Sequence, residues 1–282
     1  MNRRTGVAFL VAALIMVLPV RAAPESGGLS IVVSIPPQKF LAQWIGGERM
    51  NVRIMLEPGH APETFEPTPR QMAAVSGANF YFSIGVPFEN AWLPEIQQQN
   101  PELRLIECCS QFAAASREHG GHDDPHIWVS PTQFLSAAER IYTALLSRDS
   151  GNSALYQKRY QALNAQLTML NRDLRNVLKD RRINEFIISH GALGPLAEEY
   201  GLIQIALDSG GREVGPKTLA EITLLARRQN IRTVFVLKQH NQGPARTLAR
   251  ELDAELVEID PLAENYLDNM RAIGRLLAAA TL

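Results

Sequence analysis

Short β-rich runs alternate with helical patterns twice along this chain, and that repeat limits the fold more than any other feature. In the first half the runs are Leu29–Ile35, Asn51–Leu56, Phe80–Gly85 and Leu103–Cys108. In the second they are Glu185–His190, Ile203–Asp208, Thr233–Lys238 and Glu255–Asp260. Helical segments such as LAEITLLARRQ and ARTLARELDA fall between them. Strands separated by helices build βαβ units and parallel sheets, so the pattern predicts an α/β chain with two similar four-stranded parallel-sheet lobes. The 282 residues, 46% hydrophobic and 20% charged, suffice for two cores of that size.

Between the halves lies the longest periodic segment, Ser153 to Arg181. Leu163, Leu167, Leu170, Leu174 and Val177 recur at spacings of four and three and mark one apolar helical face. Asn152 or Ser153 is placed to cap its start. No Gly or Pro interrupts it, and a helix over the whole stretch would span about 43 Å. The expected organisation is therefore an N-terminal lobe over 23–150, a long backbone helix within 151–182, and a C-terminal lobe over 183–282. A helix of that length predicts a stiff connection rather than a hinge.

The first 22 residues read separately. Arg3 and Arg4 precede an apolar run from Val7 to Val20 and a small-residue exit at Ala22 and Ala23, the pattern of a secretory signal peptide cleaved near Ala22. The run is short for a membrane span. No Cys stands at the exit, which argues against a lipid-anchored form, so the expectation is a periplasmic protein. Net charge is −1, and losing Arg3, Arg4 and Arg21 with no acid makes the exported chain more acidic. Such a chain is a poor candidate for nucleic acid and does not repel a cation. The only cysteines, Cys108 and Cys109, are adjacent and lack the paired spacing of a structural zinc site. They read first as small residues at a strand end.

In parallel α/β lobes ligands bind beyond the carboxyl ends of the strands. His60 follows the second strand, His126 follows the loop after the fourth, His190 ends the fifth and Asp260 ends the last. Facing lobes would bring these together, and three imidazoles with one carboxylate form a natural tetrahedral zinc set. His240 lies just past Thr233–Lys238 and reads as a lobe-interface residue. His119 and His122, with Asp123 and Asp124, sit in a short glycine-containing loop that either gathers metal weakly or is simply solvated.

Several stretches together resemble a known family. SIPPQKFLAQWIGG, FEPTPRQM, DPHIWVSP, SHGALGPLAEEYGL and DPLAENYLDNM match, in order, the landmarks of the zinc and manganese substrate-binding proteins of ABC importers, the ZnuA-like and TroA-like receptors. The resemblance spans essentially the whole exported chain. It implies two α/β lobes joined by a long helix with one divalent ion between them, Zn2+ ahead of Mn2+. It also implies a monomer that serves an inner-membrane permease with its ATPase, with a periplasmic metal chaperone as an optional further partner, and no enzymatic activity.

By motif, His126, His190 and Asp260 take the family's ligand positions. The first ligand departs from the pattern: the position directly after Pro62 is Glu63, and His60 lies three residues earlier. His60 is the favoured ligand, giving three His and one Asp. Glu63 is the alternative, giving two His and two carboxylates, a set better suited to manganese or iron. A zinc hydrolase with Glu63 as general base, and an adhesive role, are the rival functions from other classes.

Overall fold

The computed structural model describes residues 28–109, 124–209 and 212–282. The first half contributes strands β1 (Leu29–Val33), β2 (Met50–Ile54), β3 (Phe80–Ser83) and β4 (Arg104–Glu107). The second contributes β5 (Glu185–Ile188), β6 (Ile203–Ala206), β9 (Thr233–Leu237) and β10 (Glu255–Ile259), with a two-stranded antiparallel ladder, β7 (Asp208–Ser209) and β8 (Arg212–Glu213), between them. All pairings within the two four-stranded sheets are parallel. Their orders are β2-β1-β3-β4 and β10-β9-β5-β6. Counted within each half, these are the same topology, 2-1-3-4, met from opposite ends. Each sheet has a switch point between its first and third strands, where chains leave in opposite directions and a crevice opens at the carboxyl ends.

Position in the sheet explains strand composition. The inner strands read as nearly unbroken apolar runs, VV, FYF, FII and VFVL, because helices cover both faces. The edge strand β2 alternates buried or half-buried with exposed residues, and the edge strand β4 exposes Arg104 and Glu107 at its two ends with Leu105 and Ile106 half-buried between them. One boundary expectation is corrected: the run Ile203–Asp208 does not continue as one strand. It stops at Ala206, and Asp208 begins the small antiparallel ladder, turning its carboxylate toward the crevice.

Nine helices are described: α1 (Pro36–Gly46), α2 (Pro69–Val75), α3 (Pro87–Gln99), α4 (Pro131–Arg148), α5 (Ser153–Val177), α6 (Gly194–Tyr200), α7 (Pro216–Gln229), α8 (Gly243–Leu252) and α9 (Tyr266–Ala280). The long helix α5 packs on α1 and α4 from the first half and α9 from the second. Leu163, Leu167, Leu170 and Leu174 form its buried face as the periodicity predicts, but Val177 is 37% exposed and leaves the stripe. The helix ends there, at about 37 Å, rather than at Arg181. The reason is a competing set of bonds: the Arg181 guanidinium donates to the carbonyls of Leu178 (2.6 Å) and Gly201 (2.9 Å), closing the helix end onto the second half. The start also differs from expectation. The Asn152 side chain turns back to donate to the Asp149 carboxylate at 2.8 and 2.9 Å and does not cap the helix.

One continuous apolar core runs through both halves, from Ile31, Phe80 and Phe82 through Trp128 and the α5 leucines to Phe186, Phe235 and Tyr266. A second cluster lies on the other face of the second sheet, around Val234, Val236 and Leu248. Polar ties reinforce the junction. Glu199 on α6 accepts from Ser130 Oγ and Thr132 Oγ1 at the start of α4, and from Asn171 Nδ2 on α5. Leu170 is fully buried in this shared core. Leu170→Ala should therefore cost about 2–5 kcal/mol in urea denaturation, whereas Val177→Ala should stay within about 0.5 kcal/mol.

Candidate metal centre

Four segments converge where the carboxyl ends of the two sheets face each other. The loop after β2 has no regular structure between Leu56 and Thr68, so its shape depends on side chains. Phe65 supplies the anchor: it is buried and packs edge-on against Phe88 with ring centroids 5.0 Å apart. Thr68 then opens α2 with a reciprocal capping pair, accepting from the Gln71 N–H while the Gln71 side chain accepts from the Thr68 N–H. Held between the buried Pro62 and Phe65, Glu63 projects into the crevice.

His126 lies in the loop leading to α4. Asp124 Oδ1 accepts from the His126 backbone N–H at 2.9 Å and from its Nδ1 at 2.6 Å. The ring also rests on Trp128, with centroids 5.0 Å apart. With Nδ1 carrying the proton for Asp124, Nε2 is left as the free lone pair. Only 8% of the residue is exposed.

His190 follows β5 by two residues and is 3% exposed. Its neighbour Ser189 locks the strand end, donating its N–H to the Phe235 carbonyl and accepting the Leu237 N–H at its hydroxyl. The ring is flanked by carboxylates on both edges: Glu63 Oε1 stands 3.4 Å from Nε2, and Asp208 Oδ2 stands 3.6 Å from Nδ1. The second separation is too long for a hydrogen bond. His240, in the turn after β9, stacks on His190 with centroids 4.1 Å apart, and its Nε2 lies 3.7 Å from Glu63 Oε2. His126 completes the group, its ring 5.8 Å from that of His190.

The electrostatics of this group follow from burial and charge together. Burial alone would raise the Glu63 carboxyl, but its bonds to His190 and to its own backbone, with the charges of His190 and His240, bring it below the ordinary value. Burial pushes His190 down, yet Glu63 and Asp208 outweigh it and leave the imidazole above its ordinary value. His240 is lowered by burial and by the neighbouring His190, which Glu63 and Asp208 offset only in part. Glu63 Oε2, His190 Nδ1 and Asp208 Oδ1 are buried without a hydrogen-bond partner. Unpaired polar atoms of this kind are rare in folded proteins and call for a missing partner. A cation between the carboxylate and the imidazoles would satisfy Glu63, and charge on the ring would draw Asp208 onto Nδ1.

Glu63, His190 and His240 can each offer a ligand atom with all three atoms within 4.8 Å of one another. His126, with its ring 5.8 Å from that of His190, lies beside this three-residue group but outside it, and Glu63, the alternative first ligand, lies within it. His60 does not enter that three-residue group. It is exposed, its Nδ1 faces the Glu57 carbonyl at 3.2 Å, and it lines a small adjoining pocket with Asp260. In that pocket Asp260 Oδ1 already accepts from Gln239 Nε2 (2.8 Å) and the Leu262 N–H (3.0 Å). His240, read as an interface residue, stands inside the group. Its signal in sequence was a His directly after an inner strand.

His119, His122 and Asp123 lie outside the described residues. Cys108 is a buried free thiol, and burial raises Cys109, also free, to about 11. Burial raises Cys108 too, so both stay protonated and unreactive near neutral pH, which fits small residues at a strand end.

The first sheet's own switch point holds a different arrangement. There Glu89 is buried, accepts from the Ser34 hydroxyl and the N–H groups of Ile84 and Gly85, and is raised to about 7, chiefly by burial. It braces β1 and β3 behind the crevice.

Comparison with known proteins identifies the family. The profile of the family described as zinc-uptake complex component A periplasmic, ZnuA, matches residues 31–280. A Chlamydia trachomatis protein described as a putative metal-binding protein is 25% identical over 256 residues, covering 88% of this chain and 90% of that one. The Bacillus subtilis high-affinity zinc uptake system protein ZnuA is 25% identical over 251 residues, covering 83% of this chain and 78% of its own length. A crystal structure of ZnuA superposes with a TM-score of 0.84 at 30% identity, covering 90% of this chain and all of the other. With the family matched over nearly the whole described chain, the protein belongs to the ZnuA family of substrate-binding receptors that serve metal import by ABC transporters.

Proposed function

We propose that this chain captures Zn2+ in the crevice between its two sheets and hands it to an inner-membrane permease with its ATPase, after residues 1–22 are removed as a signal peptide. On this reading 23–150 and 183–282 are the two lobes and 151–182 the rigid connection. The observation that carries it is the pairing of Glu63, whose Oε2 is buried and unpartnered, with the ring edges of His190 and His240 beside His126. Zinc is favoured over manganese because imidazole dominates the group, and the Bacillus subtilis relative is named for zinc uptake.

Glu63, His126 and His190 are assigned as ligands. Glu63 replaces His60 in this role because it faces the imidazoles while His60 is turned toward its own loop. Asp124 orients His126 through Nδ1, so that its Nε2 points into the crevice, and Asp208 stands 3.6 Å from His190 Nδ1, placed to close on it when an ion is bound. Glu63 as a ligand leaves no role for it as the general base of a hydrolase.

Titration of protein purified without chelator, in competition with a chromophoric zinc chelator, tests the assignment. His126→Ala, His190→Ala and Glu63→Ala should each weaken zinc more than the roughly 10–100-fold expected for an outer-shell change such as Asp124→Asn. His60→Ala should stay within a few-fold of wild type. The reverse order, with His60→Ala disabling and Glu63→Ala tolerated, would restore His60 as the first ligand.

The pH dependence has a definite sign. Zinc displaces a proton from His190, whose proton affinity is raised by Glu63 and Asp208. Binding should be strong above the His190 titration and fall as pH drops through it, beginning at a higher pH than for a free imidazole. In Glu63→Gln the remaining burial lowers His190, so the fall should begin at lower pH although overall affinity is weaker. Affinity measured across pH 5–8 reads both effects.

A further inference from the structure

We infer that His240 is the fourth ligand of the bound ion and the residue that sets the preference for zinc over manganese; this rests on the receptor reading above. His240 leaves the end of β9, and His190 leaves the end of β5, the two strands that flank the switch point of the second sheet. Its Nε2 is 3.7 Å from the unpartnered Glu63 Oε2, and it shares with Glu63 and His190 the one group of three or more His, Cys, Asp or Glu donors close enough to hold an ion among the described residues. The competing residue for the fourth position, Asp260, already has Oδ1 taken by Gln239 and the Leu262 N–H and lines the neighbouring pocket.

Ligand chemistry then decides the metal. Glu63, His126 and His190 alone supply two nitrogens and a carboxylate, a set open to zinc, manganese or iron. A third imidazole makes the donors three nitrogens and one oxygen, the tetrahedral composition that suits zinc and lacks the oxygens that suit manganese. An imidazole binds metal in the plane of its ring, whereas His190 and His240 lie stacked 17° from parallel. Their lone pairs therefore run side by side, and His240 must swing out of the stack to converge on the ion. The His240 ring makes no hydrogen bond to the turn at 238–242 that carries it, so the swing is a side-chain rotation, whereas the strand end at His190 is locked through Ser189.

His240→Phe keeps an aromatic ring for the stack and removes the donor. Zinc affinity should fall at least about 10-fold while manganese affinity changes little, so the zinc-to-manganese ratio drops. The visible absorption of the Co2+-loaded protein, intense for a tetrahedral site, should weaken in the same variant. His240→Gln, with its smaller side chain, should repeat the result and guards against a packing defect, with thermal melting of both metal-free variants checking that the fold is intact. Asp260→Asn should retain the Co2+ band. Wild-type zinc affinity and Co2+ absorption in both His240 variants would overturn the inference, as would their loss in Asp260→Asn alone. Retained zinc affinity in His190→Ala would instead overturn the receptor site and this inference with it.

Discussion

The hydrogen bond from the Trp128 indole to the Pro261 carbonyl, answered by one from the Tyr266 hydroxyl to the Trp128 carbonyl, is the contact on which the crevice depends. Trp128 lies two residues past His126, and Pro261 follows the last strand of the opposite sheet. Both donors and both carbonyls are buried, so breaking either bond would leave a polar group stranded in the core. The two halves are thus joined through one dry, hydrogen-bonded junction, and α5 and Glu199 extend that junction along the molecule. A receptor built this way cannot open by wide lobe rotation without exposing a shared core.

Within that frame the chemistry follows from where protons are held. His126 is fixed through Nδ1 by Asp124, and His190 faces Asp208 through the same atom, so both present Nε2 to a common space. Glu63 enters that space from a loop anchored by one aromatic contact. Burial makes its charge expensive without a partner, and the imidazoles lower that cost before any ion arrives. The unpartnered atoms at Glu63, His190 and Asp208 are the mark of a site arranged for a charge it does not itself contain.

Much of this was legible in the chain. Short β-rich apolar runs located all eight strands of the two large sheets, and the 3.6 period located the long helix, because strands covered on both faces must be apolar and a packed helix must bury one stripe. His126 and His190 were marked by lying just beyond strand ends within specific motifs. The misplacements have local causes. Val177 has the right spacing, but the helix is closed by Arg181 bonding back to Leu178 and across to Gly201, a contact with a residue 20 positions away. Asn152 has a capping side chain, yet Asp149 claims it first.

Sequence alone determined the class of the fold, its division into two alike halves and the kind of donors available, since each depends on composition and short-range period. Only the tertiary structure decided which donors meet. The order 2-1-3-4 puts β5 beside β9, so His190 and His240 become neighbours although 50 positions separate them. The Phe65 anchor turns Glu63, rather than His60, toward them. Strand order and loop anchoring arise from contacts between distant residues, which leave no periodic trace in the chain.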